Sequence, residues 1–358
     1  MTAPVKILAF PRYTTSGASS RVRMFQYIPL LRAANINVRW SPLLDDAYVQ
    51  QLYLAGSRSV RAVLSAYRKR LTQILTAHDH DAVWLQKELF PWVPTWLDLA
   101  LMGRRPYVVD YDDAVFHNYD AHRSAVVRRI YGSKIDSVMR RAHTVVVGNG
   151  YLAARAQTAG ARRVEILPSV VDATVYPIHD VQADKPFRIG WIGSPVTQRY
   201  LEPLLPVLRE ILVLEGDTFV TVGAHRDLRM LPGHLNVAWK EETEAAEVSR
   251  FDVGVMPLPD EPFERGKCGY KLVQYMACGV PVVASPVGVN RTIVRHGETG
   301  FLASTAEEWS RALRMLREDP ALRRGMGAAG RTLFEREYSL QSTAPRLVEI
   351  LRNAAGRS

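Results

Sequence analysis

Residues 264–285 read E-R-G-K-C-G-Y-K-L-V-Q-Y-M-A-C-G-V-P-V-V-A-S, and the order of chemistry in this stretch decides the fold. Gly266 and Gly269 make a flexible approach, a helix is expected from near Tyr270, Gly279 is placed to stop it, and Pro281 prevents its continuation. Val280–Ala284 is then short and wholly apolar, the pattern of a strand buried on both faces of a parallel sheet. Loop, helix and buried strand in that order make half of a βαβ unit. A helix reaching back to Lys267 would carry Lys267, Lys271, Gln274 and Cys278 on one face, at i, i+4, i+7 and i+11. Two ammonium groups beside the positive end of a helix dipole suit a diphosphate. The alternative is a surface helix whose polar face carries solvated lysines.

The segment M-A-C-G-V-P-V-V-A-S at 276–285, followed by G-E-T-G-F-L at 297–302, resembles the donor-binding region of family-four retaining GT-B glycosyltransferases. The resemblance implies an α/β chain of the GT-B type, with two Rossmann-like doubly wound domains facing across a cleft and a C-terminal helix crossing back to the first. It also implies a nucleotide diphosphate sugar as donor, a hydroxyl of a glycan or lipid-linked molecule as acceptor, retention of configuration, and no metal or other cofactor. Cell-surface polysaccharide or glycolipid synthesis would be the setting. In that family a Glu, seven residues and a second Glu precede the M-A-C-G segment; the second holds the ribose and the first approaches the sugar ring. Here those positions are Gln274 and Gly266. Glu264, two residues early, is the substitute for the first, and Gln274 still offers hydrogen bonds to ribose hydroxyls. Cys268, Gly269 and Tyr270 complete the expected donor stretch. The family also places a Gly-Arg pair and a later Lys against the pyrophosphate. Gly193 matches the glycine, Ser194 replaces the Arg, Arg199 stands where the Lys is expected, and Lys267 and Lys271 are left to supply the missing charge.

With 358 residues the chain is expected to form two domains. Met1–Lys6 leads directly into the apolar run Ile7–Phe10 without a cleavable hydrophobic region, and no apolar run is long enough to span a bilayer. Two cysteines, Cys268 and Cys278, make neither a disulfide framework nor a metal cage; both are expected in the donor site, in a reducing cytoplasm. The net charge is +10, and residues 1–176 hold all of it, with 23 Lys and Arg against 13 Asp and Glu. The excess is concentrated in Arg58–Arg70 (with Arg61, Arg68 and Lys69) and Arg123–Arg141 (with Arg128, Arg129, Lys134 and Arg140). Such asymmetry suits an anionic membrane surface or an anionic acceptor, or else reflects solvated helix faces. Nucleic acid is set aside, because no recognisable binding module or aromatic-interleaved platform accompanies the charge.

Strand-like runs at Val5–Phe10, Ile36–Trp40, Ala82–Leu85, Tyr107–Val109, Thr144–Val147 and Val164–Leu167 alternate with helical ones, as in a doubly wound parallel sheet. Ligands in such sheets sit beyond the carboxyl ends of strands, so the residues following each run carry most weight. After the first run, Gly17 precedes an amphipathic helix expected over about Ser20–Ala34. There the resemblance implies a basic residue near the donor phosphates, and Arg21 and Arg23 are the candidates. Lys87 follows the third run. Asp110, Asp112 and Asp113 follow the fourth, with His117 close by, and the segment D-Y-D-D-A-V-F resembles the acceptor-side loop of the family. Those carboxylates suit a metal, a general base for an acceptor hydroxyl, or a helix N-cap; Asp112 and Asp113 are the catalytic candidates, while Lys87, Asp110 and His117 belong to the acceptor side. Leu89–Met102 is aromatic and apolar, interrupted by Pro91, Pro94 and Asp98; it reads as a core-packed helix with a proline entry, or as a contact to lipid or a polyprenyl acceptor.

Pro168–Pro186 reads as a hinge, after which the pattern restarts with strands at Arg188–Ile192, Phe219–Val222, Val237–Trp239, Val253–Met256 and Val280–Ala284, and a helix around Tyr200–Leu214. Helices are expected at Thr305–Arg317, Pro320–Glu337 and Ser342–Arg352. The expected domains are 1–175 on the acceptor side, 176–336 on the donor side, and a helical segment at 337–358. Two other readings share the fold: a nucleotide-sugar epimerase, and a non-catalytic relative that binds glycans or partners, suggested by the absent glutamates.

Overall fold

The computed structural model describes residues 3–48, 60–76, 79–179, 186–212, 216–225, 228 and 231–357. Arg58 of the first basic cluster lies outside the described residues. The chain divides into two compact units. One takes in Met1–Ser169, Gly266–Cys268 and Thr343–Ser358, the other Val170–Arg265 and Gly269–Ser342.

In the first unit, β1 (Val5–Phe10), β2 (Ile36–Trp40), β3 (Ala82–Gln86), β4 (Tyr107–Tyr111), β5 (Thr144–Val147) and β6 (Val164–Ile166) form a parallel sheet in the order β2-β1-β3-β4-β5-β6. β3, β4 and β5 are buried along their whole length, which is why they read as continuous apolar runs rather than alternating ones. The second unit repeats the design with β7 (Arg188–Ile192), β8 (Thr218–Val222), β9 (His234–Val237), β10 (Val253–Met256), β11 (Val282–Ala284) and β12 (Gly300–Leu302), in the order β12-β11-β10-β7-β8-β9. In doubly wound sheets ligands bind where the strand order reverses. That point falls between β1 and β3 in the first sheet and between β7 and β10 in the second.

Prolines account for most departures from the expected elements. The helix expected over Ser20–Ala34 is broken into Ala18–Arg23, a 3-10 turn at Phe25–Tyr27 and Ile28–Ala33, because Pro29 has no N–H to continue the ladder. Pro203 and Pro206 act likewise on the helix expected at Tyr200–Leu214, which is 3-10 over Pro195–Leu204 and α-helical over Leu205–Ile211, its last two residues lying outside the described ones. Pro281 holds the strand expected from Val280 back to Val282, its carbonyl accepting from the Gly254 N–H at 3.0 Å. The strand expected at Val237–Trp239 lies earlier, at His234–Val237.

Contacts rather than chain order set the unit boundaries. Val170–Tyr176 belongs with the second unit: the Val171 carbonyl accepts from Leu340 N at 2.9 Å, and Tyr176 is buried there. Thr343–Ser358 belongs with the first, where Thr343 Oγ1 meets Tyr27 Oη at 3.0 Å and Arg352 donates to the Ala34 carbonyl at 2.8 Å.

Candidate functional site

Beyond β4 the three expected carboxylates are divided by their partners. Asp110 is inside the strand, gripped by Arg23 through Nε at 2.8 Å and Nη2 at 2.9 Å, with both side chains about 1% exposed. Arg23 also donates to the Leu167 carbonyl at 2.8 Å. This corrects two expectations: Arg23 is a buried structural cation rather than a phosphate ligand, and Asp110 is its counter-ion. Arg21, on the same short helix, is half-buried. Gly17 also has a local reason, since a Cβ there would fall 2.3 Å from Tyr13 Cβ within the same loop.

Asp112 and Asp113 stand apart from that pair. Lys87 Nζ is 2.9 Å from Asp112 Oδ1 and 3.6 Å from Asp113 Oδ2, and the Ser19 hydroxyl donates to the other Asp112 oxygen. Lys87 holds a left-handed backbone, φ 66°, uncommon for a residue other than glycine. Burial works against the Lys87 ammonium, but Asp112 and Asp113 outweigh it and hold its pKa above the usual lysine range. Burial likewise opposes the Asp112 carboxylate, and Lys87 and Ser19 overcome it, leaving Asp112 below the ordinary Asp value. Asp113 moves the other way: burial, with the neighbouring Asp112 charge, raises it despite Lys87. The two carboxylates therefore differ in kind, one fixed as an anion and the other the stronger base. Neither caps a helix, because the next one, His117–Asp120, starts behind Phe116 with no side-chain cap. His117 is held between Asp120 at 2.8 Å and Tyr151 Oη at 2.8 Å.

Two residues expected with the donor belong to this cluster instead. The helix after the glycines starts at Tyr270, with Gly269 in the left-handed region at φ 65°, so Lys267 is off the helix and shares no face with Lys271. Asn149 donates to the carbonyls of Gly266 and Lys267, each at 2.9 Å, and Lys267 Nζ lies 3.7 Å from Asp113 Oδ1. The Cys268 thiol donates to the Asp112 carbonyl at 3.1 Å, and burial pushes its pKa up, so it is a neutral packing group. Cys278 is buried at the far end of the helix, pushed up to about 12 by burial, and is likewise core.

The basic clusters are thinner than their sequence suggests. Arg70 is buried, donating to the carbonyls of Pro11 and Ser41. Lys134 is buried between Glu88 at 3.1 Å and Asp98 at 3.2 Å. Arg61, Arg68, Lys69, Arg123, Arg128, Arg129 and Arg140 are exposed. Leu89–Met102 is half core and half surface: Leu89, Phe90 and Met102 are buried, whereas Trp92 and Trp96 are 45% and 69% exposed.

In the second unit the polar groups gather beyond β7 and β10. A Cβ at Gly193 would lie 2.3 Å from the Trp191 ring, so the glycine serves packing under the turn. The Ser194 N–H donates to Thr197 Oγ1 at 3.1 Å, and Ser194 opens the 3-10 segment that carries Arg199 and Tyr200. Glu264 is 2% exposed, accepts from the Tyr200 hydroxyl, and has Arg199 Nη2 3.8 Å from Oε1; its Oε2 is buried with no hydrogen-bond partner. Burial and the bond to Glu264 push the Tyr200 phenol up to about 12, so it remains a donor. Arg199 is 64% exposed. A cavity of about 540 Å³ opens beside these residues, lined among others by Arg199, Tyr200, Pro257, Leu258, Ser285 and Trp309, beyond the carboxyl ends of β10, β11 and β12. Lys271 extends its ammonium over the Trp191 ring, 5.4 Å from the centroid. Tyr270 packs against the core, and Gln274 is buried and donates to Tyr176 Oη at 2.9 Å. Tyr176 in turn donates to Glu244, which also accepts from Trp239. Tyr200 and Ser19 were not legible as site residues, since neither stands at a motif position. Their only signal is adjacency to Arg199 and Gly17.

Residues 186–319 match the family model described as Glycosyl transferases group 1. The D-inositol 3-phosphate glycosyltransferase of Thermomonospora curvata is 36% identical over 105 residues, which is 29% of this chain and 23% of that protein. The chain thus covers about a quarter of the length of that relative. Among solved structures, a sucrose-phosphate synthase from Thermosynechococcus elongatus superposes with a TM-score of 0.75 at 18% identity, covering 99% of this chain and all of that one. Anabaena Alr3699/HepE, solved in complex with UDP and glucose, gives 0.71 at 16% identity, covering 98% of this chain and all of that one. The fold is GT-B, and the similarity to the group 1 glycosyl transferase model is confined to residues 186–319.

Proposed function

From a GT-B chain similar to the group 1 glycosyl transferase model over residues 186–319, we propose that this protein transfers a sugar from a nucleoside diphosphate sugar to an acceptor hydroxyl. The observation that carries this reading is the polar group at the reversal point of the second sheet: exposed Arg199, the Tyr200–Glu264 pair with its unpartnered carboxylate oxygen, and the adjoining cavity. Arg199 and Lys271 are cations for the leaving diphosphate, and the free Glu264 oxygen accepts a hydroxyl of the transferred sugar. The fold neighbour bound to UDP and glucose supports a donor of that class. On the first unit, Asp113 accepts the proton of the acceptor hydroxyl while Asp112, pinned by Lys87 and Ser19, orients it. The acceptor is a glycan or a lipid-linked molecule, and retention and metal independence are carried by the family resemblance.

The test is calorimetry with UDP, GDP, ADP and dTDP, followed by incubation with the matching nucleotide sugar and a hydroxyl acceptor. One nucleotide should bind, and its sugar should appear as a glycoside with release of the diphosphate. An epimerised donor would establish the epimerase instead. Refusal of all four nucleotides would leave a non-catalytic relative.

A further inference from the structure

The reversal point of the first sheet holds a larger cavity, of about 740 Å³, between the loops that follow β1 and β3. Arg12 and Tyr13 come to it from β1, Pro91 and Trp92 from beyond β3, and the helix Val60–Thr76 forms one wall. Its chemistry differs from that of the second unit's cavity. Leu43, Leu44, Leu64, Tyr67 and Trp92 give it aliphatic and aromatic walls, and no described lining residue is a carboxylate. The charges on its lining are cationic. Arg12 is balanced by Glu88 at 3.3 Å, while Arg123 is exposed and makes no ion pair with a carboxylate among the described residues.

Three of the apolar lining residues are also open to water, Val60 at 71%, Leu64 at 63% and Trp92 at 45% exposure. Contiguous exposed apolar surface of this kind marks a site that is covered in use. A free glycan would set hydroxyl groups against leucines, and a free phosphate would leave the walls bare. A molecule with both an apolar chain and an anionic group satisfies both halves of the lining. The cavity also shares loops with the carboxylates: Tyr13 N donates to Ser20 Oγ beside the Ser19 that binds Asp112, and His117 lies five residues beyond Asp112.

We infer that this cavity binds an anionic amphiphile, a phosphate carried on an alkyl or prenyl chain, with the chain along Leu64 and Trp92 and the phosphate at Arg123. The inference rests on the glycosyl-transfer reading and names the class of its acceptor, a lipid phosphate whose head group carries the hydroxyl that is glycosylated.

Calorimetry of the full chain with dodecyl phosphate, below its micelle concentration, tests this against inorganic phosphate and neutral dodecyl maltoside. Dodecyl phosphate should bind, with both controls weaker. Arg123→Glu and Leu64→Gln, at exposed positions that leave the core intact, should each weaken it roughly tenfold or more, the scale of losing a charge-assisted hydrogen bond or a buried leucine side chain. Equal affinity for inorganic phosphate, equal affinity for the maltoside, or indifference to both substitutions would each overturn the inference. UDP, GDP, ADP and dTDP titrated into the same samples keep the two readings apart. One nucleotide bound while dodecyl phosphate is refused overturns the lipid-phosphate site alone, whereas refusal of all four overturns the transfer reading on which its acceptor role depends.

Discussion

Asp112 and Asp113 are adjacent in sequence and unlike in chemistry, because Lys87 sits 2.9 Å from one and 3.6 Å from the other and only Asp112 also receives Ser19. Asp113 is the general base in the transfer reading, so Asp113→Asn should slow transfer by about 10²–10⁴-fold while leaving nucleotide affinity and folding unchanged. Since burial and Asp112 raise its pKa, the acid limb of the rate profile should lie above the ordinary Asp range of about 3.9. Asparagine at 113 should abolish that limb in the residual rate. A silent Asp113→Asn with intact nucleotide binding would remove it from the chemistry. A second carboxyl, Asp98, is legible only in stability. Burial pushes it up to about 7 against the pull of Lys134, so the folded state holds its proton more tightly than the unfolded chain. Between about pH 4 and 7 the native state then binds the extra proton, and stability falls as pH rises. Asp98→Asn should flatten that fall in urea titrations at pH 4.5 and 7.5. Parallel losses in both proteins would make Asp98 a permanently ionised partner of Lys134.

The helix Tyr270–Ala277 shows how one turn of backbone divides function. Its N-cap, Gly269, is left-handed at φ 65°, and a Cβ there would lie 2.3 Å from Ile293 Cδ1. That turn sends Lys267 and Cys268 to the carboxylates of the first unit and leaves Lys271 on the helix's first turn, over Trp191. Lys271 is therefore the lysine to test for the donor. Lys271→Ala should weaken binding of the nucleoside diphosphate by about 1.5–3 kcal/mol and spare the free nucleoside, since only the former offers phosphate. Equal losses for both would assign Lys271 to packing against Trp191.

For the whole molecule, the +10 charge excess belongs to residues 1–176, but Arg23, Arg70 and Lys134 spend their charge inside the first unit. The exposed remainder, with Trp96, Val126 and Ile130 also exposed, should bind anionic vesicles in sedimentation and release them in 1 M salt, where the Debye length is about 3 Å. Indifference to lipid charge would leave these residues as solvated faces. No described helix is long and apolar enough to cross a membrane. By itself the sequence determined most strands of both parallel sheets, the fully buried ones because they have to be continuous apolar runs, while it missed β12 as a strand and set β9 too late. It also placed Asp112 and Asp113 at a strand end. Only the tertiary structure decided which charges were available. Arg23 with Asp110, Lys134 with Asp98, and Lys267 with Asp113 are pairs 36 to 154 residues apart, and no local pattern records them. The physical reason is desolvation: a charge taken out of water must find a counter-charge, and which one lies within reach depends on how the strands are wound rather than on neighbours in the chain.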